Sequence, residues 1–484
     1  MPKCVFFNAS DFSVRSRFSS LGLAYIASYL RKYSSVNDVY IPEGDCFSKI
    51  RGIKPDLIGI YSVTQAFPEA CSAARLLRSE FKNTPIIIGG YHITALPYDL
   101  PDVFDLAVLG EGEETMRELA EVFSVFGFKP DRLSEVPGIA FCDKGRVTVT
   151  AARKQIENID AIPFPARDLL AKSRFPGIIT SRGCPYRCVF CSSASFWGKP
   201  RYHSAEYVVD EISDLIKNHG AVHISIWDDL FIADRDRLEH ICALIDRRKI
   251  NKKVSFGCAL RSNLVTAQLC VLLKKMNVKR VSIGFESGSQ RVLDFLKCGS
   301  VTVEQHVKAV ELCKAYGLYV TGTFMIGNPE ETAVDLRKTL GLINQLKLDG
   351  GGTITLTAPL PGTGLWDYAN KKGLIEENID YSRIGIMSTD FSKPDKFKGI
   401  LLSDKINKDE FFNIAQKIQA QANKYYIKGL FCGKNLFSML NIRFILARPN
   451  EARKTLWYII KSAFGKASIM DRYIFYYKKN HGST

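Results

Sequence analysis

The run Ser181-Arg-Gly-Cys-Pro-Tyr-Arg-Cys-Val-Phe-Cys191 sets Cys184, Cys188 and Cys191 in a C-x3-C-x2-C spacing. Thiolates this close in sequence suit one compact inorganic centre, and three is one fewer than a structural zinc site or an electron-transfer cluster normally uses. A four-iron cubane held by three thiolates keeps one iron open, and an open iron is a place for chemistry. Gly183 and Pro185 mark a loop, Ile178 to Thr180 reads as the end of a strand, and Phe190 puts an aromatic ring beside the last ligand. Three core thiols are the bland alternative, but Gly, Pro and Arg between the cysteines make a poor core element.

The same residues carry a resemblance. Cys184, Cys188, Phe190 and Cys191 match C-x3-C-x-aromatic-C, the signature of the radical S-adenosylmethionine (SAM) superfamily. The resemblance implies a [4Fe-4S] cluster whose open iron is chelated by the amino and carboxylate groups of S-adenosyl-L-methionine. It also implies an electron from a reductant such as flavodoxin or ferredoxin, which cleaves the sulfonium to methionine and a 5′-deoxyadenosyl radical.

Upstream, short apolar runs alternate with helical patterns over residues 1–130. Strands are expected at Cys4–Phe7, Leu57–Tyr61, Ile86–Ile88 and Leu106–Leu109, and helices at Leu21–Lys32, Pro68–Phe81 and Glu113–Phe123. This predicts an α/β fold with a doubly wound, Rossmann-like sheet whose functional edge lies at the strand C-termini. Ser62 and Thr64, Gly89 and Gly90, and Gly110, Glu111 and Gly112 cluster there. The glycines suit either close approach to a ligand or tight turns. Ser20 to Ala27, Lys54 to Gly59, Ile88 to Thr94 and Leu109 to Thr115 resemble the cobalamin-binding domain that precedes the radical domain in one large subgroup. That subgroup includes cobalamin-dependent class B methyltransferases and the anaerobic Mg-protoporphyrin cyclases. The seven residues just named are therefore expected at a cobalamin site. Asn8 to Gly22 contains no axial histidine, as the subgroup allows, and a structural role is expected for His92.

A linker over 131–172 is expected to hold a small hairpin and the proline-rich Ile162-Pro-Phe-Pro165. The βα pattern then resumes over 173–392, with strands at Gly177–Thr180, His223–Trp227, Val254–Ala259, Arg280–Phe285, Val320–Met325 and Thr353–Thr357. Six such units make a partial (β/α)6 barrel, with the site at the strand C-termini. Asp228 and Asp229 close the second strand, each suited to an ammonium, a ribose hydroxyl or a helix cap. By resemblance, one of them meets the methionyl amine of SAM and Arg261 pairs with its carboxylate. Gly284, Glu286 and Ser287 belong to a G-x-E-S-G element serving the ribose, and Ile326 to the element lining the adenosyl pocket. Pro361-Gly-Thr363 after the sixth strand also recurs in the subgroup.

Residues 393–484 are expected to form a basic, mostly helical C-terminal domain. Ten Lys or Arg against two acids from Phe431 onward give +8, half of the chain's +16. With large apolar residues interleaved, this reads as a helix on an anionic membrane surface or as a helix packing on its own domain with a basic face. No nucleic-acid signature accompanies it. Tyr381, Tyr425, Tyr426 and Trp457 suit either an apolar substrate pocket or the core. Thirteen cysteines, no signal-peptide pattern and no span of about eighteen apolar residues predict a cytoplasmic protein with reduced thiols, peripheral at the inner membrane surface if the basic tail binds lipid.

The reading that unites these features is a cobalamin-dependent radical SAM methyltransferase acting on a small-molecule or lipid-like substrate, with a radical cyclase or C–C-coupling enzyme of the same architecture as its rival. A methylthiotransferase needs three N-terminal cluster cysteines, but Cys4 falls in an expected strand and Cys71 in an expected helix. A redox sensor has no use for the SAM-binding elements.

Overall fold

The computed structural model describes residues 2–12, 20–385 and 389–431. Strands β1 (Cys4–Asn8), β2 (Val39–Tyr40), β3 (Leu57–Tyr61), β4 (Ile86–Gly89) and β5 (Leu106–Val108) form a parallel sheet in the order β2-β1-β3-β4-β5. The strands are apolar along both faces because helices cover both. Val5, Phe7, Ile58, Ile60, Ile86 and Ile88 enter one core, and Cys4, Phe6, Leu57, Ile87 and Leu106 the other. Strand order reverses between β1 and β3, which opens a crevice at their C-terminal ends.

The hairpin β6 (Ile139–Asp143) and β7 (Arg146–Val149) pairs antiparallel with β5. The first sheet therefore runs past residue 130, where sequence alone placed its end. A bare β5 edge would leave its ladder groups unpaired, and the hairpin satisfies them. β2 and the helix Cys46–Ile53 were not expected, since a two-residue strand has no periodicity to read.

In the second unit, β8 (Gly177–Ile178), β11 (His223–Ile226), β12 (Ser255–Leu260), β13 (Val278–Glu286), β14 (Tyr319–Ile326) and β15 (Gly352–Leu356) form an all-parallel sheet in sequence order. β9 (Ser181–Arg182) and β10 (Arg201–Tyr202) pair antiparallel and pinch the segment carrying the three cysteines at its base. Alternation explains the barrel. Phe256, Cys258, Leu260, Val281, Ile283 and Phe285 are buried against the helices. Ser225, Ser255, Gly257, Ser282, Thr323, Thr353 and Thr355, on the opposite face, are only partly buried and line the inside.

The region beyond residue 393 was expected as a separate domain. In its described part, the helix Lys408–Phe431 instead joins the barrel, with Phe411, Phe412, Ile418 and Ala422 in the same core as β12 to β15. Gly351 permits this approach, since its φ is +65° and a Cβ there would lie 2.6 Å from the Ala422 carbonyl oxygen. Tyr425 packs on this core and donates to the Asn344 carbonyl at 3.3 Å. Among the described residues no helix is long and apolar enough to cross a membrane. The basic stretch after Phe431, with Trp457, lies outside the described residues.

Phe411 is fully buried against Phe391 and Phe412. Phe411→Ala should cost about 3–5 kcal/mol of barrel stability, measured by urea unfolding. A cost under about 1 kcal/mol would mean that the helix does not share the barrel core.

Candidate active site

The three cysteines sit on a loop fixed at several points. Gly183 turns the chain at φ +91°, where a Cβ would press on Trp197 and Pro200 at 3.0 and 3.3 Å. Val189 N–H donates to the Leu296 carbonyl at 3.0 Å, its own carbonyl accepts from Leu365 N–H at 3.1 Å, and the Cys298 thiol reaches the Arg187 carbonyl at 3.2 Å. Phe190 packs with Val189 on the apolar cluster of Ala358, Leu365 and Ala369, so its ring anchors the loop. All three thiols are partly exposed. Burial pushes Cys191 up to about 11 and also raises Cys184, and the Asp229 carboxylate lifts both further. Iron binding must therefore displace protons from these sulfurs.

Asp228 and Asp229 close β11 but have different surroundings. Asp228 is buried and accepts from Thr180 N–H and Thr180 Oγ1, both at 2.5 Å, and from Ser181 Oγ at 2.7 Å. Burial raises its carboxyl, opposed by those hydrogen bonds. It braces the strand that enters the cysteine loop. Asp229 is exposed beside Cys184 and Cys191 and accepts one bond, from Ser193 Oγ at 2.6 Å. Trp227, 42% exposed, lies across Gly177, where any Cβ would clash with the indole at 2.5 Å.

Arg261 follows β12. Its guanidinium stacks on Tyr186 at 3.8 Å, donates to Cys188 Sγ at 3.3 Å and to Ser300 Oγ at 2.5 Å, and leaves a buried Nε without a partner. β13 shifts register between Gly284 and Glu286, and Glu286 takes a left-handed φ of +62°, a strain of about 1–3 kcal/mol that functional sites tend to store. A Cβ at Gly284 would lie 2.3 Å from Glu286 Oε1, so a larger residue there would push the carboxylate aside. Ser287 is fully buried, bonds Thr339 Oγ1 at 3.3 Å and accepts from Ser289 N–H at 3.1 Å, so it holds the turn. The Ile326 side chain is buried in the helix-facing core, because its position in the alternation points it outward.

The C-terminal edge of the first sheet meets this site. Tyr91, next to Gly89 and Gly90, donates to the Ser192 carbonyl at 2.6 Å, one residue beyond Cys191, and its hydroxyl lies 3.0 Å from Ser195 Oγ. A Cβ on Gly362, from the loop after β15, would touch Ala95 and Ser195. Glu111, at the expected cofactor edge, links the two units. It is bridged by Arg182 at 2.5 Å and Arg201 at 2.9 Å and accepts from Ile156 N–H at 3.0 Å. Arg182 also pairs with buried Glu113. Gly112 lets its helix pack on Ile26, 2.8 Å from a Cβ position. Sequence reasoning missed Tyr91, Arg182 and Arg201, because their partners lie far away along the chain.

Residues 178–343 match the Radical SAM superfamily and residues 12–120 the B12 binding domain. An uncharacterized methyltransferase of Pyrococcus horikoshii is 33% identical over 375 residues, covering 73% of this chain and 79% of the relative. The chain belongs to the radical SAM superfamily, in the group with a B12-binding domain. The anaerobic magnesium-protoporphyrin IX monomethyl ester cyclase of Rubrivivax gelatinosus is 27% identical over 79% of this chain and 71% of its own. The fold is similar to that of the radical SAM methyltransferase TsrM from Kitasatospora setae, solved with cobalamin and a [4Fe-4S] cluster, at a TM-score of 0.65 over 78% of this chain and 81% of that one, with 17% identity.

Membership brings a [4Fe-4S] cluster, SAM and cobalamin, and the residues present fit them. Among the described residues no three His, Cys, Asp or Glu side chains converge on a single ion. A cubane needs no such convergence, since each thiolate takes a different iron. At the first sheet's edge Thr64 Oγ1 is buried without a partner, and a Cβ on Gly110, at φ +74°, would meet nothing within 4 Å. Ser62 is buried beside them, its N–H bonded to the Gly89 carbonyl at 2.9 Å. Gly90, at φ +116°, would drive any Cβ to 2.4 Å from the Ser62 carbonyl oxygen. His92 is fully buried between Phe67 and Tyr381, at ring distances of 3.9 and 4.3 Å, and burial drops it to about 4, so it is neutral. Tyr381 is thus part of a packed interface and donates to Asp99 at 2.6 Å.

Arg182→Met leaves Glu111 and Glu113 buried without their shared partner. It should cost about 3–5 kcal/mol, read as faster hydrogen exchange in residues 110–116 and 180–183. Unchanged exchange there would mean that the charge cluster does not hold the two units together.

Proposed function

We propose that this protein is a cobalamin-dependent methyltransferase that moves a methyl group to an unactivated centre of a small metabolite. The observation that carries the reading is the Tyr91–Ser192 contact, which joins the cobalamin-type edge of the first sheet to the residue after the last cluster cysteine. When bound, the cluster and SAM supply a 5′-deoxyadenosyl radical and cobalamin supplies the methyl group.

The protein's own residues orient these groups. Asp229 has a free carboxylate oxygen and takes the methionyl ammonium as a charge-assisted hydrogen bond. Arg261 offers its unpartnered Nε to the methionyl carboxylate. Glu286 accepts from the ribose hydroxyls, Gly284 gives it room, and Phe190 keeps the cysteine loop still. Trp227 and the hydroxyls of Ser225, Ser282 and Thr323 suit a polar or flat substrate inside the barrel. The basic tail that would suit a lipid-like substrate lies outside the described residues. A radical cyclase is the second reading, favoured by the likeness to the Rubrivivax cyclase.

Anaerobic reconstitution with iron, sulfide and hydroxocobalamin should give about one cobalt per cluster by elemental analysis. Isotope-labelled methyl from SAM in the product supports methyl transfer, and its absence beside deoxyadenosine formation turns the assignment to cyclisation. Cys188→Ala should abolish cluster absorbance and deoxyadenosine, and retained turnover would end the radical SAM reading. Asp229→Asn should raise KM for SAM about tenfold or more with the fold intact, whereas Asp228→Asn should lower stability first. The reverse pattern would exchange the two roles.

A further inference from the structure

Lys297 ends the helix Gln290–Lys297 and is only 5% exposed. Lysines are almost never buried this deeply unless paired. Its Nζ lies 3.1 Å from Glu286 Oε1 and donates to the Gly284 carbonyl at 2.6 Å. The two acceptors flank the register shift of β13, and Gly284 is the residue whose missing Cβ leaves room for the Glu286 carboxylate. Lys297 is also tied to the rest of the site. Ser300 Oγ donates to the Lys297 carbonyl and accepts from Arg261, and the neighbouring Leu296 carbonyl holds the cysteine loop through Val189. Local pattern does not reveal this, since a lysine at a helix C-terminus reads as an exposed dipole partner.

We propose that Lys297 is a positioning residue for SAM, one that fixes the Glu286 carboxylate toward the ribose and is in turn neutralised by it. The idea rests on the SAM site proposed above. SAM carries a sulfonium and an ammonium, and Arg261 already brings one buried cation to the pocket. A second cation without its counter-charge would repel the cofactor, while a Glu286 without Lys297 loses the contact that sets its direction. The pair acts as a unit because neither charge is tolerable alone in a buried wall.

The test is SAM binding to the reconstituted holoenzyme, followed by the change SAM makes in the EPR spectrum of the reduced cluster. Glu286→Gln and Lys297→Met should each weaken binding by about tenfold or more. The double variant should bind no worse than the weaker single, a departure from additivity of about tenfold or more. Lys297→Arg keeps the charge and should recover part of the loss. Additive losses overturn the proposal. So does a Lys297→Met protein that melts earlier yet binds SAM as the wild type does, since that result makes the pair purely structural. If wild-type holoenzyme fails to bind SAM, the SAM site itself falls and the pair with it, an outcome separate from a failure confined to Lys297.

Discussion

The arrangement of this protein depends on a buried cluster of charges between its two units. Arg182 stands one residue before Gly183, where the chain turns into the cysteine loop. It is pinned by Glu111 and Glu113 from the edge of the first sheet, and Arg201 closes the network from the paired strand β10. Carboxylates this deeply buried are costly unless paired, and here both acids are met by guanidinium groups. The network spans the seam between the cobalamin-type edge and the segment that enters the cysteine loop. Tyr91 and the His92–Tyr381–Phe67 stack extend the same seam.

Within the barrel, chemistry is placed by period-two alternation. Each strand turns its large apolar side chains to the helices and many of its small or hydroxyl side chains inward. Asp229, Arg261 and Glu286 collect at the strand C-termini, where the sheet ends and backbone groups are free to turn. The left-handed Glu286 and the Gly284 beside it are the strained part of that rim, held by the buried Lys297.

Much of this was legible in the residues. The cysteine spacing, the six barrel strands and four of the first sheet's five parallel strands follow from local pattern, because metal ligands and hydrophobic period are properties of neighbours in sequence. Asp228 and Asp229 show where local pattern stops. Two adjacent identical side chains look alike in sequence, yet alternation buries one beneath the β8 loop and exposes the other next to the cysteines. Glu111, Ser287 and Ile326 belong to motifs at strand ends, and their side chains have partners that no local pattern names. The fold uses the first as an interdomain anchor, the second as a turn lock and the third as core.

Neighbours along the chain are thus enough to read the three-thiolate loop, the two βα units and their order, since three thiols on one loop and repeated apolar strands leave few alternatives. Which charged residues are locked in buried ion pairs and which stay exposed at the rim emerges only in the folded chain. Arg182 with Glu111, Lys297 with Glu286 and Tyr91 with Ser192 are separated by 71, 11 and 101 positions. Their meaning comes from burial, and burial exists only once the chain has folded.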